Sequence, residues 1–163
     1  MVRSVENLIM AVIVIIARFI MGGIFLVSGL AKISDPGRFI LTLGEFRLFP
    51  EVIVPVTAIW LPWLEFMLGL CLFVGILQRT SALMLACLNA LFAVAIVSVI
   101  ARGIVVDCGC FGMLADMFGL PDMADMKAVI RDAIFTGLCM IIFVSKSRTL
   151  SLEGYILRGA KRT

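Results

Sequence analysis

Two cysteines separated by a single glycine stand in Asp107-Cys108-Gly109-Cys110-Phe111-Gly112. Thiols this close can cycle between dithiol and disulfide, or hold a permanent bridge. In an extended backbone, side chains at i and i+2 share a face. Their Cα atoms then lie roughly 6.5 Å apart, near the upper limit for a disulfide. Gly109 allows the bend that closes the gap. The small ring that results is strained, and strained disulfides are more readily reduced. The Asp107 carboxylate disfavours a thiolate at Cys108, and Arg102 offsets this if it folds back. The chain has no histidine, so thiolate formation rests on local charges, and most hydrolytic and metal chemistry is disfavoured. A two-thiolate copper site would need further ligands, and only Met113, Met117 and Met123 are near in sequence, so no metal is assigned. An inert structural bridge, or a turn with incidental cysteines, stands beside the redox reading.

Ionisable residues inside apolar runs form the second group. Arg18 falls about 15 Å into the first run and Glu65 about 18 Å into an antiparallel second run, counted from the same membrane face. A buried guanidinium keeps its charge and needs a partner. The depths therefore predict an Arg18–Glu65 pair, serving either as glue between helices or in shaping a site for a quinone head group or a proton path. Arg131 and Asp132 lie near the outer end of the last run. They are placed either to set the electrostatics of the cysteine loop or to snorkel toward water. Cys71, Cys87 and Cys139 lie within apolar runs and read as small packing residues. Gly22, Gly23, Gly29, Gly69 and Gly75 read as points of close helix approach.

The elements that must position these residues are membrane helices. Of 163 residues, 63% are hydrophobic and 15% charged, and the mean hydropathy is +1.17. Soluble domains are nearer 45–50% apolar and about 25% charged. The fold class expected is all-α: a polytopic membrane protein with four antiparallel transmembrane helices at about 8–30, 52–77, 81–100 and 121–144. The last is drawn back to Pro121, a good first-turn residue, with Asp122 beside it. One membrane domain covers 1–144, and 145–163 form a basic tail. Asp35-Pro36-Gly37 signals a turn. After it, 38–51 mixes apolar and charged residues as a short interfacial helix in the first outer loop. Gln78-Arg79-Thr80 reads as the tight turn between the second and third helices.

Four spans put both termini on one side. The Lys/Arg distribution favours the cytoplasm for them, which leaves the Cys-Gly-Cys loop on the extracytoplasmic side, where disulfides persist. The first run is long, is interrupted by Arg18 and lacks a clear cleavage site, so it reads as a span and not a signal peptide. The net charge of +3 calls for no nucleic-acid partner, because a basic tail suits an anionic lipid surface.

Several stretches together resemble the MauE/DoxX group of small membrane proteins, specifically its MauE-like branch. They are Arg18, Gly22-Gly23-Ile24-Phe25, Ser28-Gly29-Leu30-Ala31-Lys32, Asp35-Pro36, Phe39 and Leu48-Phe49-Pro50. Pro62, Glu65, Gly69, Arg102-Gly103, the Asp107–Gly112 motif and Arg131-Asp132 continue the series. The resemblance implies a four-helix bundle in the bacterial inner membrane, associated with redox work. It implies a thioredoxin-like periplasmic partner and a part in maturing a periplasmic redox enzyme, methylamine dehydrogenase in the case of MauE. Other relatives in the group are linked to thiosulfate oxidation feeding the quinone pool. The tail from Ser145 lies outside the resemblance.

The reading that joins these lines is extracytoplasmic thiol–disulfide or electron transfer. Cys108 and Cys110 cycle, with Asp107, Gly109, Arg102, Arg131 and Asp132 around them and Arg18 and Glu65 supporting the bundle. A thioredoxin-like protein or periplasmic redox enzyme exchanges with the pair. No cofactor is bound covalently, and a quinone is the acceptor considered. The alternative is a non-catalytic anchor or assembly subunit of a larger membrane complex, with Cys108–Cys110 as a staple.

Overall fold

Buried positions at helical spacing organise the first element. Val14, Arg18, Met21, Phe25, Ser28 and Lys32 are all buried, a run of threes and fours that puts them on one face of an α-helix. In the computed structural model that helix, α1, runs Val2–Ser34. The structure describes residues 2–48, 50–104, 106 and 124–145. Asp107, Cys108, Gly109, Cys110, the rest of that loop to 123, and the basic tail lie outside the described residues.

Among the described residues the chain forms five helices and no strand. After α1 come α2 (Pro36–Glu45), α3 (Val54–Val74), α4 (Gln78–Ala101) and α5 (Met126–Val144). The four long helices alternate in direction. α3 packs on α1, α4 on α3 and α5 on α4, and α5 closes the ring against α1. The pairings α1 with α3 and α4 with α5 are the most extensive. Segments of α1 (Ile9–Ser34), α3 and α4 are long and apolar enough to cross a membrane. Large apolar side chains such as Ile16, Val56, Trp60, Leu91 and Val94 cover their outward faces. The chain is a multi-pass membrane protein. α5 differs because Lys127, Arg131 and Asp132 fall in its first two turns.

Several boundaries differ from the sequence expectation. α5 does not extend back through Ala124 toward Pro121. It starts at Met126, and the Asp125 carboxylate accepts from the Ala128 amide at 3.0 Å as its N-cap, which satisfies a donor the helix end leaves open. α3 stops at Val74, short of Leu77, because Gly75 adopts the left-handed conformation (φ 85°) and caps it, a conformation that costs glycine little. The reversal is therefore Gly75–Leu77, and Gln78-Arg79-Thr80 is already the first turn of α4. The short helix after α1 begins earlier than expected, at Pro36, with the Asp35 side chain accepting from the Arg38 amide at 3.1 Å. Phe39 and Leu43 of α2 pack with Val54 and Ala58 of α3.

Three glycines set how closely α1 and α3 meet. A Cβ on Gly22 would lie 2.8 Å from the Phe73 nitrogen, and one on Gly29 2.8 Å from that of Phe66. Across the seam, a Cβ on Gly69 would lie 2.9 Å from the Leu26 nitrogen. The two backbones touch, as small residues permit between membrane helices. Gly23, expected in the same role, has open space beside it.

Candidate functional site

The glycine seam fixes the vertical register of α1 against α3. Gly29 meets Phe66 and Gly69 meets Phe25 and Leu26, so Glu65 comes level with the stretch from Ser28 to Lys32. Its partner is Lys32: Nζ lies 2.6 Å from Oε2, with both side chains buried. The expected Arg18–Glu65 pair does not form. Arg18 lies four turns below Lys32 on the same stripe, about 21 Å away at 1.5 Å per residue, beyond the reach of Glu65. Its guanidinium carbon sits 4.7 Å from the Phe19 ring centroid.

Lys32 is held from several sides. Nζ donates to Ser28 Oγ at 3.2 Å as well as to Glu65. It also lies 5.6 Å from the ring centroid of Phe39 on α2 and 5.3 Å from that of Phe92 on α4, a cation–π distance in both cases. Lys32 is only two residues from the end of α1, yet α2 folds back over it and α3 continues past it. That is how an ammonium so near a helix terminus becomes buried.

A second ion pair faces the first. Arg131 Nη2 lies 3.0 Å from Asp132 Oδ1 on α5, and Asp132 is 2% exposed. Asp132 therefore points into the bundle instead of reaching toward water. Asn89 of α4 ties α5 down by donating from Nδ2 to the Asp132 carbonyl oxygen at 2.7 Å and to Thr136 Oγ1 at 3.3 Å. Ser28, Lys32, Glu65, Asn89, Arg131 and Asp132 line one cavity of about 30 Å³, room for a water or two. All four long helices contribute to it. Burying Lys32, Glu65 and Asp132, with Arg131 half-buried beside them, stabilises a fold little in comparison with apolar packing, and ionisable residues inside membrane helices mark functional sites by default.

Both ion pairs lie toward the end of the bundle where α1 and α4 finish and α3 and α5 begin. At that end the Ala124 amide donates to the Val106 carbonyl oxygen at 2.9 Å. The loop that carries the two cysteines thus leaves and re-enters the described structure at one point. Arg102, expected near the thiols, caps α4. Its Nη2 donates to the Phe46 carbonyl at 2.6 Å and to Ser98 Oγ at 3.1 Å, while Nε donates to the Ser98 carbonyl at 3.0 Å. It fastens the end of α2 to α4. Cys71, Cys87 and Cys139 are free thiols, each on a different helix.

Sequence reasoning passed over Lys32, Ser28 and Asn89 as site residues. The signal for Lys32 was its spacing: it stands two heptads after Arg18, on the stripe that also carries Phe25. Asn89 gave a weaker sign, as an amide inside an otherwise apolar run.

A second, larger cavity of about 260 Å³ lies between α2, α3 and α4. Leu61, Leu88 and Phe92 line both spaces.

The chain resembles a protein of Paracoccus denitrificans, "Methylamine utilization protein MauE", at 29% identity over 126 residues. That match takes in 77% of this chain and 65% of the relative, so the chain spans less than two thirds of the relative's length. No solved structure matches the chain. The sequence profile of the family described as "Methylamine utilisation protein MauE" matches residues 10–145, from the first transmembrane helix to the end of α5, and the chain belongs to the MauE family.

Proposed function

We propose that this protein carries out extracytoplasmic thiol–disulfide exchange in support of the maturation of a periplasmic redox enzyme. Its place is the bacterial inner membrane, with four spans, both termini cytoplasmic and the Cys108–Cys110 loop periplasmic. α5 serves as the fourth span, its three charged residues gathered toward the loop end and its remainder apolar. A role in methylamine utilisation follows the name of the relative.

The observation that carries this reading is the closure at Val106 and Ala124. It anchors a loop bearing a Cys-Gly-Cys pair at the end of the bundle where Lys32, Glu65 and Asp132 are buried and Arg131 is half-buried. In the exchange, a thiolate of a thioredoxin-like partner attacks the Cys108–Cys110 disulfide. A mixed disulfide forms, the partner's second thiol resolves it, and the partner leaves oxidised with Cys108 and Cys110 as a dithiol. Two electrons and two protons have then moved onto this chain, and they leave when the dithiol is reoxidised. Asp107 and Gly109 tune and bend the pair, Arg102 fixes the end of α4 that leads into the loop, and Arg131 and Asp132 line the cavity toward the same end.

Thiol trapping of the full chain across a series of redox potentials tests the proposal. A pair that opens in the range of the periplasm's exchange proteins is the expected result. A pair that remains oxidised below about −300 mV is a structural bridge and overturns the reading. Cys108→Ser and Cys110→Ser should each abolish oxidation of the partner in membranes.

A further inference from the structure

We propose that the groove between α2, α3 and α4 holds an acyl chain of an anionic phospholipid, whose phosphate is bound by Arg102 at the groove's outer end. The inference needs only that α4 crosses the membrane, and it stands apart from the thiol–disulfide reading.

The groove is an apolar space of about 260 Å³, and its α4 wall runs from Leu88 to Ser98. At 1.5 Å of rise per residue that wall is about 15 Å long, half of a hydrocarbon core about 30 Å thick. α4 begins at Gln78, so Leu88 lies about 15 Å along it, near the middle of the bilayer. Ser98 then stands near the boundary with the head groups. The groove therefore has the depth of one leaflet. Its rim faces lipid, since Leu91 and Val94 are each 67% exposed. Two of the hydroxyls in its lining are engaged within the protein. Thr57 Oγ1 donates to the Ile53 carbonyl at 3.0 Å, and Ser98 Oγ accepts from Arg102. What they leave is a surface suited to a hydrocarbon chain.

Arg102 lies one turn beyond Ser98, at the level where head groups begin. It is bonded to two residues of the groove wall. Nη2 donates to the Phe46 carbonyl at 2.6 Å and to Ser98 Oγ at 3.1 Å, and both residues line the groove. Nε donates to the Ser98 carbonyl at 3.0 Å. A guanidinium has five N–H donors. These bonds use Nε and Nη2 and leave the two N–H groups of Nη1, on a residue that is exposed. No carboxylate pairs with Arg102 among the described residues. A guanidinium fixed in this way presents charge and donors that suit a phosphate. Charge then selects among lipids. An anionic phospholipid neutralises Arg102, whereas a zwitterionic one brings its own cation to the same place. A diacylglycerol fills the groove and gains nothing from Arg102, and a free phosphate gains nothing from the groove.

Native mass spectrometry of the full chain in detergent, titrated with dioleoylphosphatidylglycerol, tests the site. That lipid should bind about tenfold more tightly than dioleoylglycerol, which has the same chains and no phosphate, or dioleoylphosphatidylcholine. Glycerol 3-phosphate, which has no chains, should not bind. Arg102→Gln should abolish the preference for phosphatidylglycerol and leave dioleoylglycerol binding unchanged. Ala95→Phe fills the groove and should weaken both lipids about tenfold. Val97→Phe, on the exposed face of the same helix, should weaken neither. Equal affinity for phosphatidylglycerol and either comparison lipid overturns the proposal, because the groove is then an unselective crevice. Equal weakening of both lipids by Arg102→Gln also overturns it, because Arg102 is then only a clasp between α2 and α4. A phosphatidylglycerol with a diazirine in one acyl chain needs no variant. Its crosslinks on the natural chain should fall along the groove on α2, α3 and α4, and crosslinks spread evenly over α1 and α5 as well would sink the site.

Discussion

Lys32 and Glu65 are 33 positions apart in sequence and 2.6 Å apart in space, joining α1 to α3 where neither side chain reaches solvent. Removing one member strands the other charge in an apolar interior, which costs about 3–5 kcal/mol. Lys32→Met alone and Glu65→Leu alone should therefore each lower the unfolding midpoint strongly in detergent. The two together should recover most of the loss. A double variant no more stable than the singles would show that the pair is not coupled.

The α1–α3 seam gives a second expectation. Gly29→Ala forces a methyl group against the Phe66 backbone and should destabilise by about 1–3 kcal/mol through overpacking. Gly23→Ala, six residues earlier on α1 and facing open space, should be neutral or slightly stabilising in the same melt.

Arg102 holds the end of α2 through the Phe46 carbonyl. Arg102→Gln loses charge-assisted hydrogen bonds, about 1.5–3 kcal/mol. The effect should be local. Limited proteolysis should cut faster between α2 and α3 while the melting of the bundle changes little.

Asp125→Ala removes the N-cap of α5 and should cost about 1 kcal/mol. Hydrogen exchange at the first turn of α5, including the Ala128 amide, reports it directly. Asp125→Ser should restore most of the protection, because a hydroxyl also accepts at that position.

Much of the bundle was legible because apolar runs separated by Asp35-Pro36-Gly37, the reversal near Gln78 and Arg102-Gly103 leave few other arrangements, although the reversal itself falls at Gly75–Leu77. The pairing of charges was not. Depth counted from assumed helix ends put Arg18 opposite Glu65, yet registry is set by where two backbones can touch. Gly29 and Gly69 carried that information, although it becomes usable only once they are known to face one another. Lys32 was hidden for a related reason. It looks like a loop-edge cation in sequence, and only the fold-back of α2 encloses it. The burial of Asp132 likewise depends on how α5 packs against α4, where Asn89 reaches across to the Asp132 carbonyl, a tertiary contact that no local pattern announces.

The backbone contact along Gly22, Gly29 and Gly69 has a mechanical consequence. With their main chains pressed together, α1 and α3 behave as one plank, and the extensively packed α4 and α5 form another. Lys32 and Glu65 ride on the first plank, Asn89 and Asp132 on the second. The two salt bridges therefore each lie within one slab, and no ion pair between Lys32, Glu65, Arg131 and Asp132 ties the slabs together among the described residues.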